Sequence, residues 1–169
     1  TPLYSSAASD VYKRQNQRLM VCAASTRDGE EEIILRAWKD LLLSNAVDVA
    51  PLLCLVPRHP ERFSEVANQI QAAGLVFRCR SEWLEMPKVD IDVDVILGDS
   101  MGEMPMYYSA ADLVVMGGSL LPFGGQNLIE ACAAGCPVLL GEHTYNFQQA
   151  AFDAIHMGCL LYTSDAADE

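Results

Sequence analysis

Short apolar runs alternate with amphipathic stretches along most of this chain. Leu19 to Ala24, Leu52 to Val56, Leu75 to Phe77, Asp94 to Leu97, Leu113 to Met116 and Val138 to Leu140 have the length and composition of strands buried on both faces. The first intervening stretch predicts a helix from about Gly29 to Ser44. Asp28 is placed to cap it, and Glu30, Glu31 and Glu32 fill its first turn, where the helix dipole favours acidic side chains. Ile33, Ile34, Ala37, Trp38 and Leu41 make its apolar stripe. Pro60 and Glu61 open a second helix, buried through Phe63, Val66, Ile70 and Ala73 and stopped by Gly74. Met101 to Ala111, Leu128 to Ala134 and Gln148 to His156 predict further helices, and the polar, proline-containing Arg80 to Val89 predicts a loop. Alternation of this kind implies a doubly wound α/β fold with a parallel, Rossmann-like sheet. No internal repeat or low-complexity segment interrupts it.

In open α/β sheets ligands bind outside the carboxyl ends of the strands. That rule selects the loops Ser25-Thr26-Arg27, Pro57 to Pro60, Gly98 to Glu103, Gly117 to Ser119 and Gly141 to Thr144, where most of the distinctive polar residues fall. The most informative stretch runs from Gly117 to Glu130. A strand, a glycine-rich loop and a helix in that order aim free backbone N–H groups at one spot, which suits a phosphate. The N–H groups of Gly118, Ser119, Gly124 and Gly125, with the Ser119 hydroxyl, are the candidate donors. A plain strand–turn–helix connection is the competing explanation. Arg58 offers a bidentate, charge-assisted contact, unless it merely pairs with Glu61. His59 lies beside it and can instead cap the helix that begins at Pro60. Asn127 and Glu130 have the spacing of a capping box. Gly102, Glu103 and Met104 open a helix, which an ordinary N-terminal turn also explains. Ser25 and Thr26 end the first strand, and Gln126, His143, Asn146 and Phe147 can line a pocket or pack the loops.

Composition narrows the classes. The chain carries a formal charge of −12, which argues against nucleic acid as a partner, since a phosphate backbone needs clustered basic residues. No apolar run is long enough for a transmembrane helix. Residues 5–15 and 159–169 look unrelated as peptides. A DNA that encodes the first, however, encodes the second when its reverse complement is read one base in, as expected of a transposase-type sequencing adapter read through at both ends. We therefore expect residues 1–15 and 159–169 to be non-native tails, Asn16 to Gly158 to be one domain, and the natural protein to continue past both ends. Without the tails, 9 basic and 19 acidic residues remain, for a charge of −10. Of the cysteines outside the tails, Cys22 and Cys54 sit in strand-like runs and read as core. Cys132 and Cys136 have a metal-pair spacing, but Pro137 follows and no third ligand is near, so no metal is expected. A reducing, cytosolic setting fits best.

These segments together resemble the 3-deoxy-D-manno-octulosonic acid (Kdo) transferases, glycosyltransferases of the GT-B fold. The pieces that match are Ala24-Ser25-Thr26 with Gly29 to Glu32, Pro57 to Phe63, Leu97 to Met104 with Tyr107-Tyr108, Gly117 to Glu130, and Gly141 to Phe147. They occur in the family's order. The resemblance implies the C-terminal, donor-binding domain of an enzyme that moves Kdo from CMP-Kdo to the lipid A precursor (lipid IVA) at the cytoplasmic face of the inner membrane, without a metal or other cofactor. It also implies that the donors of Gly118, Ser119, Gly124 and Gly125 hold the phosphate or the Kdo carboxylate, that Glu130 binds the ribose and that Gly102, Glu103 and Met104 receive the cytosine. The family's general base belongs to the N-terminal domain, so no catalytic base is expected here, and donor binding without turnover is. That missing half would also carry the acceptor and membrane contacts. Gln126, Phe123 and Glu142 depart from residues common in the family. A GT-B enzyme using a UDP-sugar, such as an N-acetylglucosaminyltransferase or a UDP-sugar 2-epimerase, is the alternative. A flavodoxin-like receiver is disfavoured because Leu75 to Cys79 offers no phosphorylatable Asp.

Overall fold

The computed structural model describes residues 18–44, 46–82, 92–156 and 158, together with the backbone of 160–162. The expected tail over 1–15, the end of the other from 163, and positions 83–89 of the loop expected over Arg80 to Val89 lie outside the described residues. Strands β1 (Met20–Thr26), β2 (Leu52–Pro57), β3 (Phe77–Cys79), β4 (Val95–Leu97), β5 (Leu113–Met116), β6 (Val138–Leu140) and β7 (Leu160–Tyr162) form one sheet in the order β3-β4-β2-β1-β5-β6-β7. Every pairing is parallel, so the doubly wound α/β expectation holds. The sheet includes β7, in the stretch that the reading of the sequence left out of the fold.

The period-two pattern of each strand divides the core into two layers. Met20, Cys22 and Ala24 of β1, with Leu52, Cys54 and Val56 of β2, face α3 (Met104–Ala110), α4 (Ile129–Ala133) and α5 (Gln148–His156). Ala23, Leu53 and Leu55 face α1 (Glu30–Leu43) and α2 (Phe63–Ala72) on the other side. Burying one such leucine side chain contributes about 1.5–3 kcal/mol. These layers make the edge from which the loops project a rigid one.

Several boundaries differ from expectation for identifiable reasons. The third strand is Phe77–Cys79 rather than Leu75 to Phe77, because Arg78 pairs with Ile96 in register. The second helix begins with a 3-10 turn at Pro60–Arg62 before α2. Helix α3 starts at Met104, since Gly102 has a φ of 79° and breaks the helical path. Asp28 does not cap α1: Gly29 occupies the cap in a left-handed conformation, and Asp28 pairs with Arg62 at 3.2 Å. The buried stripe of α1 is Glu30, Glu31, Ile34, Leu35 and Trp38, with Ala37 exposed.

Candidate functional site

The chain leaves β1 and β5, neighbours at the centre of the sheet, toward opposite faces, which makes their carboxyl ends the switch point of the fold. Strand β1 ends in a bulge between Ala24 and Thr26. Ser25 there has a φ of 56°, a left-handed conformation that costs a non-glycine residue about 1–3 kcal/mol. The bulge turns the Ser25 carbonyl against Gly117, where a Cβ would lie 2.6 Å from Thr26 Cα, so only glycine fits. The Thr26 carbonyl accepts the Arg58 N–H at 3.0 Å, which fixes the start of the next loop beside the first. Ser25, Thr26, Arg58 and Gly118 are thereby brought together.

The first half of the glycine-rich segment is closed by the protein itself. Glu30, fully buried, reaches under it and accepts the N–H groups of Gly118 at 2.7 Å, Leu120 at 3.0 Å and Leu121 at 3.4 Å. It also accepts the Arg27 N–H at 2.8 Å, reciprocating the bond from its own N–H to the Arg27 carbonyl. An anion-binding nest has formed, but its anion is an internal carboxylate. Ser119 is buried and engaged as well: its hydroxyl donates to the Met116 carbonyl and accepts the Gly141 N–H at 2.9 Å. The Gly125 N–H donates to the Gly118 carbonyl at 2.6 Å. The Gly118 and Gly125 N–H groups and the Ser119 hydroxyl, expected to hold a phosphate, here bond within the protein instead. Those donors are already satisfied within the loop and its neighbours.

The second half is different. Among the described residues, the N–H groups of Gly124, Gln126, Asn127 and Leu128 have no partner. Gly124 has a φ of 89°, and a Cβ there would lie 2.7 Å from Asn146 Cγ, so the turn is compressed against the loop that follows β6. That loop clamps it: the Asn146 N–H donates to the Gly124 carbonyl at 3.0 Å and its side-chain amide to the Phe123 carbonyl at 3.3 Å. The His143 N–H donates to the Ser119 carbonyl at 3.1 Å, while its ring lies 3.3 Å from the Glu142 carboxylate. Gln126 is half-buried against Gly118. His143 and Asn146 thus build the floor of the loop. Asn127 Oδ1 accepts the Ile129 N–H at 3.1 Å, a local turn leading into the helix rather than a capping box with Glu130; the cap residue is Leu128, which makes no side-chain bond. The Glu130 carboxylate is exposed and without a hydrogen bond, and its charge acts on the neighbouring Tyr108.

A third group lies at the ends of β3 and β4. Glu103 accepts Arg80 at 2.8 Å and the Ser100 hydroxyl, so its side chain is a structural anchor. The N–H groups of Gly102, Glu103 and Met104 are unpartnered among the described residues, and the half-buried Met104 side chain packs on the core. Beneath them, burial pushes the Tyr107 and Tyr108 hydroxyls well above the usual tyrosine range. Arg58 is exposed and makes no ion pair with Glu61. His59 precedes the 3-10 turn without a side-chain capping bond. Cys136 bonds to the carbonyls of Tyr108 and Ala111. Among the described residues no group of His, Cys, Asp and Glu is arranged to hold a metal ion.

Comparison with known proteins decides the family. The chain is 51% identical over 149 residues to the 3-deoxy-D-manno-octulosonic acid transferase of Bordetella pertussis, covering 88% of this chain and 34% of that protein. It is 42% identical over 146 residues to the same enzyme of Haemophilus influenzae, covering 86% and 33% respectively. Its structure superimposes on the crystal structure of the C-terminal CMP-Kdo binding domain of WaaA from Acinetobacter baumannii with a TM-score of 0.82, at 32% identity over 94% of this chain and 81% of that one. The chain belongs to the Kdo transferase family. It spans about one third of the length of the curated relatives it matches, and it matches no protein-family model.

In this member of the family the residues whose buried roles the sequence did not reveal are Glu30, Glu31 and Arg62. Glu31 is fully buried, accepting the Thr26 hydroxyl at 2.8 Å and Arg62 at 2.7 Å. Burial alone would lower the Arg62 pKa; hydrogen bonds to Glu65 and Glu31 outweigh it and raise it. A signal existed: Glu30 and Glu31 lie one turn before Ile34 and Leu35, on the apolar face of α1. Acidic residues in line with a buried stripe have a buried partner, whereas a dipole effect needs no particular face.

Proposed function

We propose that this chain binds CMP-Kdo and forms the donor half of an enzyme that transfers Kdo to a lipid A precursor, lipid IVA, at the cytoplasmic face of the inner membrane. The observation that carries the reading is the close superposition on a domain described as binding CMP-Kdo, with the open half of the glycine-rich loop at the switch point. In this reading the phosphate lies on the free N–H groups of Gly124 and Gln126 to Leu128, within reach of Arg58 and His59. Helix α4 spans only Ile129–Ala133, so its dipole is slight and the hydrogen bonds matter more. Ser25 and Thr26 line the cleft side of that position.

The exposed Glu130 carboxylate accepts the ribose hydroxyls; an ionised carboxylate has acceptors only, which suits a diol. The cytosine meets the N–H groups of Gly102, Glu103 and Met104. A donor facing N3 favours cytosine, which accepts there, over uracil, which carries a hydrogen. As CMP departs, negative charge grows on its phosphate, and fixed N–H donors with Arg58 stabilise it without reorganising. No step here requires a metal. The general base and the acceptor contacts belong to the N-terminal domain, so the chain binds donor without turning it over. No helix among the described residues is long and apolar enough to cross a membrane, and membrane contact falls to the other half.

Calorimetric titration of CMP and UMP into the chain, beside a Glu130→Ala variant, tests the reading. CMP should bind in preference to UMP, and the substitution should weaken it. Preference for UMP would move the assignment to a UDP-sugar enzyme, and Kdo transfer by the isolated chain would sink the division of labour.

A further inference from the structure

We propose that Arg27, held over the ring of Phe123, binds the carboxylate of the transferred sugar and so selects an acidic sugar donor. The proposal rests on the CMP-Kdo reading above and adds a residue to it. Arg27 is the first residue after β1, and its backbone is pinned at both ends of its peptide unit by Glu30. Thr26 pairs with Pro57 in the sheet, so Arg27 and Arg58 leave neighbouring strands side by side.

The acidic residues closest to Arg27 in the chain are committed elsewhere. Asp28 pairs with Arg62, Glu30 is consumed by backbone N–H groups, and Glu31 is shared between Thr26 and Arg62. Among the described residues neither Arg27 nor Arg58 has a carboxylate partner. In a chain with a net charge of −12, two adjacent arginines without counter-ions are an unusual use of basic residues. Electrostatics alone would give each an acid.

Phe123 explains how Arg27 is kept in place without one. The guanidinium carbon lies 4.9 Å from the ring centroid. A cation held by a ring face spends no N–H donor on a carboxylate, so the guanidinium keeps donors for a ligand. Phe123 also belongs to the clamped loop, since its carbonyl accepts the Asn146 amide and Gly124 follows it. The ring therefore ties Arg27 to the segment whose N–H groups are open. The donor's chemistry fits this pair of cations: CMP-Kdo carries a carboxylate on the same carbon that bonds the phosphate oxygen. Two adjacent anions meet two adjacent guanidinium groups, with Arg58 on the phosphate and Arg27 on the carboxylate.

The test is calorimetric titration of the chain and its Arg27→Gln, Arg27→Lys and Phe123→Leu variants with CMP, which lacks the sugar carboxylate, and with CMP-Kdo. The chain should bind CMP-Kdo more tightly than CMP. Arg27→Gln should weaken CMP-Kdo about tenfold while changing CMP less than about twofold. Arg27→Lys should recover part of the loss, and Phe123→Leu should weaken CMP-Kdo about threefold with unchanged thermal melting. Equal loss of both ligands in Arg27→Gln, or no loss of either, would overturn the assignment. So would a chain that binds CMP but gains nothing from the sugar. A chain that binds neither ligand would remove the CMP-Kdo reading itself, a distinguishable failure.

Discussion

The two halves of one glycine-rich segment look alike in sequence and differ in what they do. Within Gly117 to Leu121 the N–H groups of Gly118, Leu120 and Leu121 converge on the buried Glu30 carboxylate, while Gly124 to Leu128 leaves most of its N–H groups unpartnered among the described residues and is clamped from behind by Asn146. The first half is a finished structure: its anion came with the chain. The second is held in shape by bonds to its carbonyl groups, which is what leaves donors for a ligand. A glycine pair therefore says that backbone is closely approached, and says nothing of whether protein or ligand approaches it. Here the deciding residue lies 88 positions before Gly118.

The sharpest way to break the contrast is to remove the internal anion. Glu30→Ala strands several buried N–H groups, and we expect a loss of about 4 kcal/mol in urea unfolding. A loss below about 1 kcal/mol would mean that water or a rearranged loop satisfies them and that the first half is not finished after all. Arg62→Ala comes next. It leaves the buried Glu31 without its cation, with an expected cost of about 3 kcal/mol. Both substitutions act on stability because both partners are inside. Glu130→Ala should do the reverse: unfolding within about 0.5 kcal/mol of the parent, and CMP binding weakened about tenfold. A large stability loss there would make Glu130 a structural residue like Glu30.

The smallest expected effect lies outside both halves, at the end of β3. Burial, then the charges of Asp99 and Glu82, push the Cys79 thiol up to about 11 from its ordinary 9.0. Its folded pKa lies above its unfolded one. The associated stability is full below pH 9 and lost as the pH rises through about 11, a small amount because the site is largely solvated. Alkylation of the native chain, followed at the Cys79 peptide, should show a midpoint near 11. A midpoint at 9.0 would mean that the thiol is solvated and the nearby carboxylates are not held close.

The fold was legible because its signals are local. Apolar runs such as Leu113–Met116 and Val138–Leu140 were located to the residue, and Gln148–His156 likewise. Two-sided burial leaves little choice of structure for such runs. The site was legible only by region. Strand ends and glycines marked loops that the structure brings to one edge of the sheet, but partner choice is a long-range matter. Glu30 reads as a first-turn helix residue until the fold brings Gly118 to it, and Asp28 reads as a cap until Arg62 arrives from the next loop. Phe123 stood out as a departure from its relatives, yet only the position of Arg27 gives the ring a task.

The most direct measurement is a titration of CMP into the isotopically labelled chain, followed by the backbone amide resonances. Large shifts are expected at Gly124, Gln126, Asn127 and Leu128, with Gly118, Leu120 and Leu121 unmoved in the grip of Glu30. Shifts centred on Gly118, Leu120 and Leu121, with the second half silent, would contradict the division between a closed half and an open one.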